Sequence, residues 1–97
     1  MTTIISATIT AYCACKLCCG PNAKGLTAYG KPPTPNHTIA ASRIYPFGTK
    51  VRIEGKEYVV EDRLALRFDK RFDVYMSSHK KALQYGIKTQ QVVIIIR

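Results

Sequence analysis

The sequence predicts an all-β fold, a small barrel of about six short strands with one short helix. Three observations carry this. Apolar and polar residues alternate in several short runs, the mark of half-buried strands. Clusters of Gly, Pro, Asn and Ser separate those runs. Only residues 79–85, between Ser78 and Gly86, carry helix start and stop signals.

Along residues 3–11, Ile5, Ala7, Ile9 and Ala11 face one way, and Ser6, Thr8 and Thr10 the other. The next stretch, Cys13-Ala-Cys15-Lys-Leu-Cys18-Cys19-Gly20-Pro21-Asn22, has loop chemistry. Gly30 to Asn36 holds three prolines, which lack an N–H and fix φ, so regular structure is excluded there. Thr38 to Ser42 reads as a short strand, and Pro46-Phe47-Gly48-Thr49 as a turn. Lys50 to Ile53 and Tyr58 to Glu61 form a hairpin around Glu54-Gly55-Lys56. Phe72 to Tyr75 is a further strand. Ser77 or Ser78 caps the helix, Gly86 ends it, and Val92 to Ile96 closes the domain as a central strand.

The chain has 97 residues, enough for one domain over residues 1–97 and too few for two separate cores. Hydrophobic residues make up 46% and charged residues 22%, values of a globular chain and not of a disordered one. No apolar run approaches the roughly 18–20 residues of a membrane-spanning helix. The first residues, Met1-Thr-Thr-Ile-Ile, lack the basic and then apolar pattern of a signal peptide. The net charge is +9, which attracts polyanions: nucleic acid, acidic lipid, or bacterial wall with its carboxylates and phosphates. The basic residues are scattered, and no aromatic face interleaved with Lys and Arg marks a nucleic-acid surface.

The chain has six acidic residues, Glu54, Glu57, Glu61, Asp62, Asp69 and Asp73. Glu54 and Glu57 flank the hairpin turn and belong in solvent. Asp62 ends the apolar run Tyr58-Val59-Val60 and opens a basic loop. Asp73 lies between Phe72 and Val74 in a strand, where aspartate is disfavoured. Such an acid is either turned to solvent or held for a purpose.

A set of segments occurs in a telling order: Thr10-Ala-Tyr12, Thr27-Ala-Tyr-Gly30, Ile39-Ala-Ala-Ser42, Pro46-Phe-Gly-Thr-Lys-Val-Arg-Ile53, Tyr58-Val-Val-Glu-Asp62 and Phe72-Asp-Val-Tyr75. Together they resemble the 3D (three-aspartate) domain, found in the membrane-bound lytic transglycosylase A family and in small bacterial and phage wall-remodelling proteins. The resemblance covers nearly the whole chain, and Asp62 and Asp73 keep the spacing of the family pattern. It implies a six-stranded double-psi β-barrel. It also implies a carbon–oxygen lyase, a peptidoglycan lytic transglycosylase that cleaves the MurNAc–GlcNAc β-1,4 bond without water and leaves a 1,6-anhydro product. By position, Asp73 matches the catalytic acid/base and Asp62 its partner carboxylate. The expected partner is the glycan strand of peptidoglycan, with no cofactor, no nucleic acid and no membrane span. The expected place of action is the cell wall, periplasmic or extracellular, as a bacterial or phage-encoded bacteriolytic protein. Two departures stand out. Ser42 replaces the first aspartate, and Arg63-Leu-Ala-Leu-Arg-Phe-Asp69 replaces a glycine-rich stretch.

One carboxyl group suffices for such a reaction. The acid protonates the glycosidic oxygen, and its carboxylate then takes the proton of the sugar's own C6 hydroxyl as that oxygen attacks C1. The intramolecular attack brings a high effective concentration. The acid needs a raised pKa, which an apolar flank and a neighbouring carboxylate supply.

Other residues suit the same site. Sugar faces stack on aromatic rings, and Tyr12 and Tyr29 are the candidates for groove walls, although most of the six tyrosines belong to the edge of a small core. Ser42 and Arg63, at the two departures, are candidates for substrate contact. Cys13, Cys15, Cys18 and Cys19 hold every thiol in the chain. They suit a structural disulfide or thiol cluster, with Cys13–Cys18 as one local bridge. Zinc wants two separated ligand pairs, and this spacing is tight, so no metal site is expected. His37 reads as plain loop and His79 as a surface residue at the helix start. A non-catalytic module that binds wall glycan is the alternative function. Keeping both Asp62 and Asp73 favours the enzyme, because binding alone does not require an acid of raised pKa.

Overall fold

Apolar side chains at every second position need a shared interior, and the strands supply one by closing on themselves. A computed structural model describes residues 2–13, 27, 29–64 and 70–95. It contains β1 (Thr2–Tyr12), β2 (Thr38–Ala41), β3 (Lys50–Ile53), β4 (Lys56–Arg63), β5 (Arg71–Tyr75), the helix α1 (His79–Tyr85) and β6 (Lys88–Ile95). The strands form a closed barrel in the order β1-β5-β2-β4-β3-β6. The β1/β5 and β2/β4 pairs are parallel, and the other pairings are antiparallel. The expected architecture, an all-β six-stranded barrel with one short helix, is the one the chain adopts. Among the described residues, closure gives each of the six strands a neighbour on both sides.

The longest strand, β1, serves two neighbours. Its first part, Thr2 to Ile9, runs against β6, and Thr8 to Tyr12 runs alongside β5. This explains why β6 starts at Lys88 and not at Val92. The polar run Lys88 to Gln91 has no strand-like apolar pattern of its own. It is recruited because β1 offers it a ladder, with Ala7 opposite Gln90 and Thr8 opposite Thr89.

The β3/β4 hairpin closes through Glu54 and Gly55, both at positive φ (51° and 79°), between the paired residues Ile53 and Lys56. Two successive left-handed residues match the strands' own twist, and glycine adopts that conformation without steric cost. Side chains from every strand fill the interior. Ile9, Ile39, Val51, Val60, Phe72 and Val74 are fully buried there, and each contributes roughly 1.5–3 kcal/mol relative to exposure.

One irregularity sets the site. Between β2 and β4, Ile39 pairs with Val60, but the next residue, Ala40, pairs with Asp62. Glu61 is the extra residue of a β-bulge. Its carboxylate accepts a hydrogen bond from the Thr38 hydroxyl (2.8 Å), which in turn accepts from the Thr34 amide. The buried Thr38 is thereby satisfied.

The helix α1 starts and stops as its sequence signals say. Ser78 is the N-cap, its hydroxyl accepting from the Lys81 amide at 3.2 Å. Gly86, at φ 72°, ends it. The helix packs on β1. Among the described residues no helix is long and apolar enough to cross a membrane.

Candidate functional site

Period-two alternation divides each strand between two faces. Phe72 and Val74 of β5, Ile9 of β1 and Ile39 of β2 point into the core. Their neighbours Asp73, Thr10 and Ala40 therefore lie on the other face of the barrel wall. On that face Thr10 pairs with Asp73, and Asp73 pairs with Ala40. Across the bulge, Ala40 also pairs with Asp62. The two aspartates thus flank a single small residue on β2, with backbones two strand spacings apart, about 10 Å.

Each carboxylate is held differently. Asp62 accepts the Tyr12 hydroxyl on Oδ2 (2.9 Å) and the Arg63 amide on Oδ1 (2.9 Å). Tyr12 comes from the end of β1, fifty residues away in sequence. Its backbone is pinned there because the Met76 amide donates to the Tyr12 carbonyl at 2.7 Å. Its ring meets Tyr75 edge-on, with centroids 5.5 Å apart and planes at 69°. That geometry suits the quadrupoles of two aromatic rings. Tyr12 and Tyr75 together make an aromatic wall beside the aspartates.

Asp73 is largely covered, with 17% of its side chain exposed. Arg71, two residues earlier on the same face of β5, donates its Nε to Asp73 Oδ1 at 3.3 Å and to the Thr10 hydroxyl at 3.1 Å. Burial pushes the Asp73 carboxyl above the usual carboxylate range. The Arg71 charge and hydrogen bond pull it back, and the charge of Asp62 adds a smaller upward push. The net direction is upward.

The remaining candidates gather in a second group, around the turn from Ser42 to Gly48. Arg63 donates Nη1 to the carbonyls of Ser42 (3.0 Å) and Tyr45 (2.6 Å), and its guanidinium lies 4.0 Å over the Phe47 ring. The Phe47 ring also packs on Tyr29, with centroids 5.0 Å apart. Ser42 is buried, and its hydroxyl accepts from the Ile44 amide at 3.4 Å. Here Arg63 and Ser42 brace a turn, and Tyr29 leans on that turn with nearly half its surface exposed. Asp62, Asp73 and Tyr12 are brought together, whereas Ser42, Arg63 and Tyr29 are drawn to this neighbouring turn.

Three participants were not expected. Arg71 had a readable signal: two positions before Asp73 in a strand puts both side chains on one face. Thr10 and Tyr75 join through the parallel pairing of β1 and β5, which no local pattern announces. The histidines differ from each other. His37 is exposed and stands 3.9 Å from Glu61. His79 is half-buried, with Nδ1 3.8 Å from Cys13 Sγ, so it is not the plain surface residue expected. Cys15, Cys18 and Cys19 lie outside the described residues, and with them the expected disulfide or thiol cluster. Cys13 is described and buried.

No protein-family profile matches this chain, and neither does any curated protein.

Proposed function

We propose that this barrel is a peptidoglycan lytic transglycosylase, with Asp73 as its acid/base. The observation that carries the reading is the environment of Asp73. It is a carboxyl group set in a strand and covered enough to raise its pKa, with a second carboxylate across one alanine. A carboxylate meant only to bind a cation or a hydroxyl gains nothing from a raised proton affinity.

In this reading protonated Asp73 gives its proton to the oxygen between MurNAc C1 and GlcNAc C4, and the C1–O bond breaks. The Asp73 carboxylate then removes the proton of the MurNAc C6 hydroxyl as O6 bonds to C1. The products are the freed GlcNAc hydroxyl and the 1,6-anhydro sugar. No water is consumed, and Asp73 ends as it began. Arg71 keeps the carboxylate stage from being too basic and fixes the side chain's direction. Asp62, held by Tyr12, stays in place to bias Asp73 towards its protonated form. The Tyr12–Tyr75 wall offers ring faces and edges to a sugar.

The resemblance to the 3D domain supports the same chemistry and substrate. The net charge of +9 suits an anionic wall. The test is digestion of purified sacculi by the full chain. Release of 1,6-anhydro-muropeptides by the wild type, and not by folded Asp73→Asn, is the expected result. Sacculus binding without any released product from the wild type would make the chain a glycan-binding module instead.

A further inference from the structure

Four residues from three separate segments form a short ladder of cations and rings beside the aspartates. The Arg63 guanidinium lies 4.0 Å over the Phe47 ring. The Phe47 ring packs on Tyr29 with centroids 5.0 Å apart, and the Lys31 ammonium stands 5.1 Å from the centre of the Tyr29 ring. We propose, on the transglycosylase reading of Asp73, that this ladder and the adjoining Arg43 form a subsite for the anionic peptide stem carried by the MurNAc unit of peptidoglycan.

The ladder is tied to β4 on both sides of Asp62. The Tyr29 amide donates to the Glu61 carbonyl at 3.1 Å, and the Arg63 amide donates to Asp62 Oδ1 at 2.9 Å. Glu61 and Arg63 each stand one strand residue, about 3.4 Å, from Asp62. A glycan whose scissile bond reaches the carboxylates therefore brings the substituents of the same sugar up to these side chains.

Arg63 is occupied with the turn, since its Nη1 donates to the carbonyls of Ser42 and Tyr45. It acts as the prop that holds Phe47 and the turn in place. Burial lowers its proton affinity, the charge of Arg43 lowers it further, and Asp62 raises it. Arg43 and Asp62 are thus both within electrostatic reach of one guanidinium.

The surface so built offers positive charge and a little apolar area. Lys31 and Arg43 are exposed, and Ile44, next to Arg43, is 65% exposed. Among the described residues no carboxylate comes within 4.0 Å of either cation. The sequence has no acidic residue before Glu54, so the segments that carry Lys31 and Arg43 supply none. Cations left uncompensated attract an anion, and a guanidinium takes a carboxylate on two parallel N–H donors. A peptide stem brings carboxylates close to small apolar side chains, which matches Arg43 and Ile44 as neighbours. A nucleic acid would match the charge, but base stacking needs an open ring face, and the Tyr29 ring already bears Phe47 and Lys31.

The experiment gives the full chain two soluble substrates. One is glycan strands that carry their peptide stems. The other is strands stripped by an amidase, which keep only the lactyl carboxylate. Release of 1,6-anhydro ends yields kcat and KM on each. The wild type should show a KM roughly 3–10-fold lower on stem-bearing strands at similar kcat, the mark of binding shared by ground and transition states. In Lys31→Gln/Arg43→Gln this KM ratio should fall to near one, and Arg43→Lys should keep more of it than Arg43→Gln. Circular dichroism and a melt confirm that the variants fold. Equal wild-type KM values on the two substrates, or a ratio that the double variant leaves intact, would overturn the subsite and leave cleavage by Asp73 standing. Fluorescence anisotropy with labelled stem-bearing and stripped fragments makes the same comparison without turnover. A chain that cleaves neither substrate, yet prefers stem-bearing fragments through Lys31 and Arg43, would keep the subsite and lose the enzyme reading. Binding with no preference for the stem would overturn the subsite. So would tighter binding to a single-stranded oligonucleotide that the double variant loses, which would make this face a nucleic-acid surface.

Discussion

Asp62 and Asp73 lie on either side of Ala40, one paired with it across β4 and the other across β5. Two acids from separate strands thus share one face, on either side of the short side chain of Ala40. Their holders differ. Asp62 takes a neutral tyrosine hydroxyl, while Asp73 takes a guanidinium and yet has its carboxyl pushed upward, because burial outweighs the cation.

The proposed activity predicts unequal roles for the two acids. Asp73→Asn keeps shape but cannot donate a proton, so cleavage of sacculi should fall by about 10²–10⁴-fold. Asp62→Asn should cost less, because its part is to bias a neighbour. Circular dichroism would confirm that both variants fold. Equal losses would mean that both carboxylates take part directly, as in a hydrolase.

The raised pKa of Asp73 also has a signed consequence for stability. The folded chain holds this proton to higher pH than the unfolded chain does. The resulting stabilisation is fully present below the unfolded value, about 3.9. It is lost as pH rises through the folded value. Asp73→Asn cannot ionise, so its melting temperature should rise relative to the wild type as pH is taken from 4 to 7. Anhydro-product release by the wild type should decline over the upper part of its pH range, where Asp73 loses its proton.

Tyr12→Phe removes one hydrogen bond and leaves the ring against Tyr75. The loss should be about 1 kcal/mol in urea unfolding. Cleavage should drop by less than in Asp73→Asn. If activity vanishes while the fold and the Asp73 pH profile stay unchanged, the hydroxyl itself touches the reacting sugar.

Among the described residues Phe72 is the largest fully buried side chain, and it directly precedes Asp73. Phe72→Ala should cost about 3–5 kcal/mol, a large share of the roughly 5–15 kcal/mol that a domain commonly has. Phe72→Leu should cost much less. Chemical denaturation of both variants checks the ranking.

With a net charge of +9, attraction to an anionic wall should be screened. Raising salt from 0.1 M to 1 M shortens the Debye length from about 10 Å to about 3 Å. Sacculus pull-down should weaken accordingly. Binding that ignores salt would assign the affinity to groove contacts such as the Tyr12–Tyr75 wall.

Much of the barrel was legible in the sequence because its signals are local. Alternation marks the start of β1 and the β3/β4 hairpin, Gly86 marks the end of the helix, and its start was narrowed to Ser77 or Ser78, of which Ser78 is the cap. The start of β6 was hidden, since Lys88-Thr-Gln-Gln is strand only by virtue of its partner. At the site, Asp62 stood out as the acid that ends an apolar run and opens a basic loop, and Asp73 as an acid between two apolar strand residues. The positions of Arg63 and Ser42 did not, because what each holds is a backbone carbonyl or amide of a turn whose path depends on tertiary contacts. The approach of His79 to Cys13 was invisible for the same reason: 66 positions separate them, and no periodicity spans that gap.

The bulge at Glu61 acts on β4 as a frameshift acts on a message. Upstream of it, even-numbered residues such as Tyr58 and Val60 face the core. Past it the parity inverts, and even-numbered Asp62 is displayed outside, alongside odd-numbered Asp73. Were the β2/β4 register to run on regularly past Val60, Ala40 would stand opposite Glu61, and Asp62 would be turned towards the interior, where an ionised carboxylate is not tolerated. The two-for-one count at this point is therefore what sets Asp62 opposite Ala40, on the face that also carries Asp73.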